Sequence, residues 1–112
     1  MPAYFVVRAV VAEADRHDFD AWYHTEHLPD AIKAFKAERG WRAWSRSDPS
    51  VHYAFYRFPD VHAAEAIPGS PHIRTLVEAF DQRWGDRVVR TREIIEVVDG
   101  RPSPATGGDS HG

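Results

Sequence analysis

Residues 51–58, VHYAFYRF, constrain the fold more than any other stretch of this chain. A strand sends successive side chains to opposite faces. Val51, Tyr53 and Phe55 therefore share one face, and Ala54, Tyr56 and Phe58 share the other. Both faces are apolar, so both need cover. A sheet built around this strand has to be covered twice.

The rest of the chain supplies one cover directly. Residues 3–12, AYFVVRAVVA, are β-branched and aromatic and read as a strand. EADRHD follows as a turn, with Asp15 or Asp18 available to cap a helix. Residues 19–39 read as helical, with Gly40 in the C′ position. WRAWSRS at 41–47 and VHYAFYRF at 51–58 form a hairpin across the turn-forming DPS. Asp60 caps a short helix at 61–66, which IPGSP interrupts. Ser70 offers an N-cap with Pro71 at N1. Ile73, Leu76, Val77, Phe80 and Trp84 then form a helical stripe that ends at Gly85. Residues 87–98 read as the last strand. A Gly/Pro/Ser-rich tail over 100–112 is expected to be disordered, leaving 1–99 as a single domain.

The order β-α-β-β-α-β is the ferredoxin-like, split βαβ arrangement of the α+β class. Right-handed crossovers give a four-stranded antiparallel sheet with both helices on one face. The other face needs a different cover. A second copy of the sheet is the simplest one, which predicts a homodimer.

Composition narrows the function classes. The chain of 112 residues has a net charge of −3 and no long Lys/Arg block, so neither nucleic acid nor an anionic membrane is an expected partner. Cysteine is absent, which removes disulfides, thiolate nucleophiles and Cys-based metal sites. That fits a reducing cytoplasm. The N-terminal apolar run is short and broken by Arg8, so neither a signal peptide nor a membrane span is expected. No G-x-G-x-x-G, P-loop or G-x-S-x-G pattern occurs, which argues against nucleotide-cofactor chemistry. Aromatic residues reach 12%, enough for a bulky core or an aromatic-lined pocket.

The segment AWYHTEHLPDAI, residues 21–32, concentrates polar chemistry inside a helical pattern. On a regular helical wheel Phe19, Trp22, Tyr23 and Glu26 share a side, with Glu26 near its centre. His27 falls at the edge beside Tyr23, and His24 points away. His24 and His27 do not match the H-x-x-E-H spacing of an inverzincin, and no second ligand cluster stands elsewhere; no metal site is expected. Acid/base chemistry fits better, because imidazole titrates near neutrality and a carboxylate among aromatics has its pKa raised. The alternative is structural: Pro29 disfavours helix at Leu28, and His27 or Glu26 then satisfies freed backbone groups.

The helix FDAWYHTEHLPDAI, with Tyr23, His27 and Pro29 in a W-x-x-x-H-x-P-like pattern beside Trp22, resembles the dimeric α/β-barrel superfamily. The likeness is to EthD-type and antibiotic-biosynthesis-monooxygenase-like small proteins. The second half, SPHIRTLVEAFDQRWGDRVVRTREI, is also similar, so the resemblance spans roughly residues 3–98. It implies two ferredoxin-like sheets packed face to face, with a pocket between sheet and helices in each subunit. Members include cofactor-free oxygenases of aromatic polyketides, cyclases, lactone isomerases, haem-degrading enzymes and chlorite dismutases. Fold alone does not select among these.

The resulting expectation is a cytoplasmic homodimer whose pocket binds a small apolar, aromatic or polyketide-like molecule. Any chemistry would be cofactor-free oxygenation, cyclisation or isomerisation, with His27 moving a proton and Tyr23 and Glu26 assisting. Candidate ligand contacts are Trp22, Trp44, Tyr53, Arg57, His72 and Trp84. Each has a structural alternative. The tryptophans can be core, and either Tyr53 or Tyr56, but not both, can face the pocket. Arg8, Arg42 and Arg57 lie in apolar strands and need an acidic partner, an anionic ligand or an edge to snorkel from. His72 sits at a helix start, whose dipole favours neutral imidazole. The rival class is a non-catalytic carrier or structural dimer. No cofactor is expected, although haem stays open because one histidine suffices as axial ligand.

Overall fold

A computed structural model describes residues 1–104. Four strands, β1 (Ala3–Val11), β2 (Arg39–Trp44), β3 (Val51–Phe58) and β4 (Val88–Glu96), form one antiparallel sheet in the order β2-β3-β1-β4. This is the ferredoxin-like order that the alternation of elements predicts. The helices are α1 (Arg16–Trp22), α2 (Leu28–Phe35), α3 (Val61–Glu65) and α4 (Pro71–Arg83). Among the described residues no helix is long and apolar enough to cross a membrane. Residues 100–104 carry no regular secondary structure and are exposed; the remainder of the expected tail lies outside the described residues.

The register sorts every strand residue to a face. Phe5, Val7 and Ala9 of β1 point to the helices with Ala54, Tyr56 and Phe58 of β3, and all six are buried in one core. The opposite face carries Tyr4, Val6, Trp41, Tyr53 and Phe55. Phe55 stacks between Trp41 and Tyr53, with ring centroids 5.8 and 5.9 Å apart. Among the described residues no helix covers this face. Val89 is 66% exposed there and Ile95 43%.

The α1–α2 segment departs from the wheel drawn for residues 19–39. It is helical from Arg16 to Phe35, but residues Tyr23–His27 form a π-turn between α1 and α2. The Leu28 N–H donates to the Tyr23 carbonyl, five residues back. This widened turn has a clear packing reason. Phe19, Tyr23, His27, Ala31 and Phe35 recur every four residues, and all are buried. A regular helix at 3.6 residues per turn drifts by about 40° at each such step, so the stripe would spiral off the sheet. One extra residue in the turn returns it. Pro29, expected to break the helix, instead lies at the N-terminus of α2, in the turn where the hydrogen-bond ladder changes its spacing. The Thr25 hydroxyl donates to the Ala21 carbonyl at 2.8 Å.

Gly40 is not the helix C-cap. Lys36 takes the left-handed conformation (φ 55°) and ends α2. Gly40 lies in β2, where a Cβ would come within 2.5 Å of Ile32 Cγ1, so glycine lets α2 approach the sheet. At the other end the expectations hold. Ser70 caps α4 through His72 N–H with Pro71 following, and Gly85 (φ 55°) follows the helix.

Candidate functional site

Three buried polar side chains converge between the helices and the sheet. Tyr23 and His27 come from the π-turn, and Tyr56 comes from β3. The two phenol oxygens are 3.4 Å apart, a long hydrogen bond. The His27 ring stacks on Trp22 (4.6 Å, 21° between planes) and meets Tyr23 edge-on at 4.9 Å. Trp22 thus fixes the ring plane while Tyr23 flanks it.

These groups border a small chamber closed by Phe35, Leu76 and the guanidinium-bearing residues Arg90 and Arg92 of β4. Its free volume is about 20 Å³, room for a single water. Phe5, Ile73, Val77 and Arg92 also line a wider mouth of about 520 Å³ between α4 and β4. The chamber and the mouth share those four residues as a common wall, both are mostly apolar, and Pro68, Glu93 and Ile94 complete the outer one.

The electrostatics keep the polar groups uncharged and the β4 side positive. Burial pushes the His27 imidazole down to about 4, and the nearby Arg90 charge adds to this. Burial raises the Tyr23 phenol, against the opposing hydrogen bond from Tyr56. The Tyr56 phenol lies well above its usual value, again through burial first and then the Tyr23 oxygen. At neutral pH the chamber therefore presents a neutral imidazole, two phenols and the Arg90 cation. Arg90 lies over the Phe80 ring at 3.8 Å and reaches Asp81 only at 3.5 Å.

The structure brings together only part of the expected set. His27 and Tyr23 line the chamber. Glu26 does not: the extra residue of the π-turn rotates it into solvent and brings His27 onto the packed face in its place. Trp22 stacks behind His27 rather than lining the cleft. Trp84 is buried against Phe19 and Trp22, under the guanidinium groups of Arg83 and Arg87. Trp44 packs on Phe19 and His52 and donates to Asp20 at 2.8 Å. Tyr53 and Arg57 lie on the opposite sheet face, because β3 alternates and Tyr56 takes the inner side; Arg57 pairs with Glu38 at 3.5 Å. His72 is exposed, in a shallow groove beside Asp30 and Leu76.

Arg42 and Arg57 find the acidic partners that an arginine in an apolar strand needs. Arg42 does not snorkel from the sheet edge but pairs with Asp20 at 2.6 Å, and that contact holds the Asp20 carboxyl below its usual range. Arg90 and Arg92 were not singled out by sequence, yet strand alternation in VVRTREII places both with Val88 and Ile94 on the helix side. His52 is a further buried histidine, packed on Tyr23, Phe19 and Trp44, and its Nε2 has no hydrogen-bond partner among the described residues. Burial takes its pKa down to about 4. Among the described residues no three His, Asp or Glu side chains are grouped to hold a metal ion.

No family model matches the chain, and no curated protein matches it. Solved structures do. An ethyl tert-butyl ether D (EthD) family protein from Bacillus halodurans superposes with TM-score 0.69 at 14% identity, over 88% of this chain and all of that one. SnoaB, a cofactor-independent oxygenase from Streptomyces nogalater, superposes with TM-score 0.66 at 14% identity, over 91% of this chain and 98% of that one. An antibiotic biosynthesis monooxygenase gives 0.59 at 13% identity, covering 87% and 99%. At these identities the likeness is one of fold. The chain has the ferredoxin-like architecture of EthD-type and cofactor-independent oxygenase proteins.

Proposed function

We propose that the protein binds a small planar, largely apolar molecule of aromatic or polyketide type in the α4–β4 cleft, and that His27 accepts an acidic phenol, enol or CH proton from it. The observation that carries this reading is a mostly apolar mouth that shares Phe5, Ile73, Val77 and Arg92 with the chamber bordered by Tyr23, His27 and Tyr56. Fold likeness to a cofactor-independent oxygenase supports it.

A neutral imidazole accepts a proton, whereas an imidazolium cannot. His27 is a weak base in the empty cleft, being desolvated and near Arg90. A ligand anion changes the balance, since an adjacent negative charge raises the imidazole pKa. The Arg90 cation stabilises the same anion. Tyr23 and Tyr56 can donate to its oxygen. Without a proton, an electron-rich carbon centre can meet dioxygen directly, rearrange or cyclise. In the oxygenase case a ring CH₂ becomes a carbonyl, with dioxygen supplying that oxygen and the oxygen of one released water.

A suitable test is dioxygen uptake with dithranol, a hydroxylated tricycle with an acidic CH₂. His27→Ala is expected to lower the protein-dependent rate at least a hundredfold. An unchanged rate would remove His27 from the reaction.

The narrow chamber favours a second reading. Room for one water means that a ring system fills the mouth and meets His27 only at its edge. A carrier that binds without turnover would behave this way, and dithranol bound but not consumed would select it. A haem held by His27 does not fit the inner chamber, which is far smaller than a macrocycle.

We extend the proposal to assembly. The uncovered sheet face, with its Trp41–Phe55–Tyr53 stack, is the surface of a homodimer.

A further inference from the structure

The cleft holds two cations and almost no compensating charge. Arg90 and Arg92 are alternate residues of β4, so both project to the helix side, roughly 7 Å apart along the strand. Arg90 has a distant partner in Asp81, at 3.5 Å. Arg92 makes no ion pair or side-chain hydrogen bond among the described residues, although it borders both the chamber and the mouth. Glu93 is the carboxylate bordering the mouth, but its place in the register, opposite Val6, puts its side chain on the other sheet face. The chain as a whole has a net charge of −3, so this positive cleft is a local feature.

We infer that the ligand is a hydroxylated aromatic carboxylate, and that Arg92 selects it by pairing with the carboxylate at the junction of mouth and chamber. This rests on the reading of the cleft as an aromatic-binding site. The placement follows from the walls. Ile73, Val77 and Ile94 offer the ring system an apolar slot. Arg92, with Ile73 and Val77, borders both the slot and the chamber, and His27 with Tyr23 borders the chamber. In this placement the carboxylate pairs with Arg92 and a hydroxyl on the same ring edge is directed to His27 and Tyr23. A guanidinium forms two parallel hydrogen bonds with a carboxylate, a geometry that ammonium lacks. An apolar slot alone would accept the neutral analogue equally well.

The test compares 1-hydroxy-2-naphthoate with its neutral carboxamide by calorimetric titration of the full-length protein. The acid is expected to bind at least tenfold more tightly than the amide. Arg92→Gln is expected to weaken acid binding at least tenfold, and Arg92→Lys to recover part of the loss. Arg92 is exposed, so both variants should keep the wild-type thermal midpoint. Equal binding of acid and amide by the wild type overturns the carboxylate inference while leaving an aromatic site in place. Unchanged acid binding by Arg92→Gln overturns the role of Arg92. Failure of both compounds to bind overturns this inference and the aromatic site together.

Discussion

His27 and His52 are the residues on which the site's electrostatics turn. Both are held neutral by burial, with pKa values down to about 4 against the ordinary 6.5. Between these values the unfolded chain binds protons that the folded chain does not. Stability is therefore full above about pH 6.5 and falls as pH drops toward 4, by up to roughly 3 kcal/mol for each histidine. Urea midpoints measured from pH 7.5 to 4.5 should show that loss; a flat profile would contradict neutral, buried imidazoles. His52→Phe removes a buried nitrogen that has no partner. It should be neutral or stabilising at pH 7, by about 1 kcal/mol, and should shrink the acid loss by about half. At this scale the sequence was legible in part. Tyr23 and His27 stand out by residue type. The burial of His52 and the inward aim of Arg90 depend on which strand face meets the helices, and a polar residue in an alternating strand does not announce that.

At the scale of elements, the π-turn is the decisive device. The order of strands and helices follows from periodicity, caps and turns, and Ser70–Pro71 locates the start of α4 to the residue. The π-turn was hidden because a wheel assumes one pitch throughout. The four-residue recurrence of Phe19, Tyr23, His27, Ala31 and Phe35 was its signature. Deleting exposed Thr25 would bring the spacing after Tyr23 back to that of a regular helix. The deletion variant should stay folded, with a thermal midpoint near or above that of the wild type. His27 would lose its present setting against Tyr23, so any turnover of dithranol should fall at least tenfold. Unaltered turnover would show that the π-turn does not position His27.

At the scale of the molecule, the fold is a sheet with one dressed face. The doubly apolar pattern of residues 51–58 already required two covers, and α1, α2 and α4 supply only one. The charges Arg8, Arg39 and Arg57 around the bare aromatic stack leave its centre apolar. Light scattering at micromolar concentration should give twice the chain mass. Phe55→Asp should give a monomer, because a carboxylate placed at the middle of the stack would be buried unpaired in the interface. A wild-type monomer would contradict this account of the open face.

In the proposed site, ligand enters between α4 and β4 and meets His27. Ring nitrogen–proton correlations of ¹⁵N-labelled histidines report this directly during titration with 1-hydroxy-2-naphthoate. Entry at this site shifts the His27 signals with saturation, while those of exposed His72, in the groove beside Asp30, stay in place. A saturable shift of His72 with His27 unmoved would contradict it.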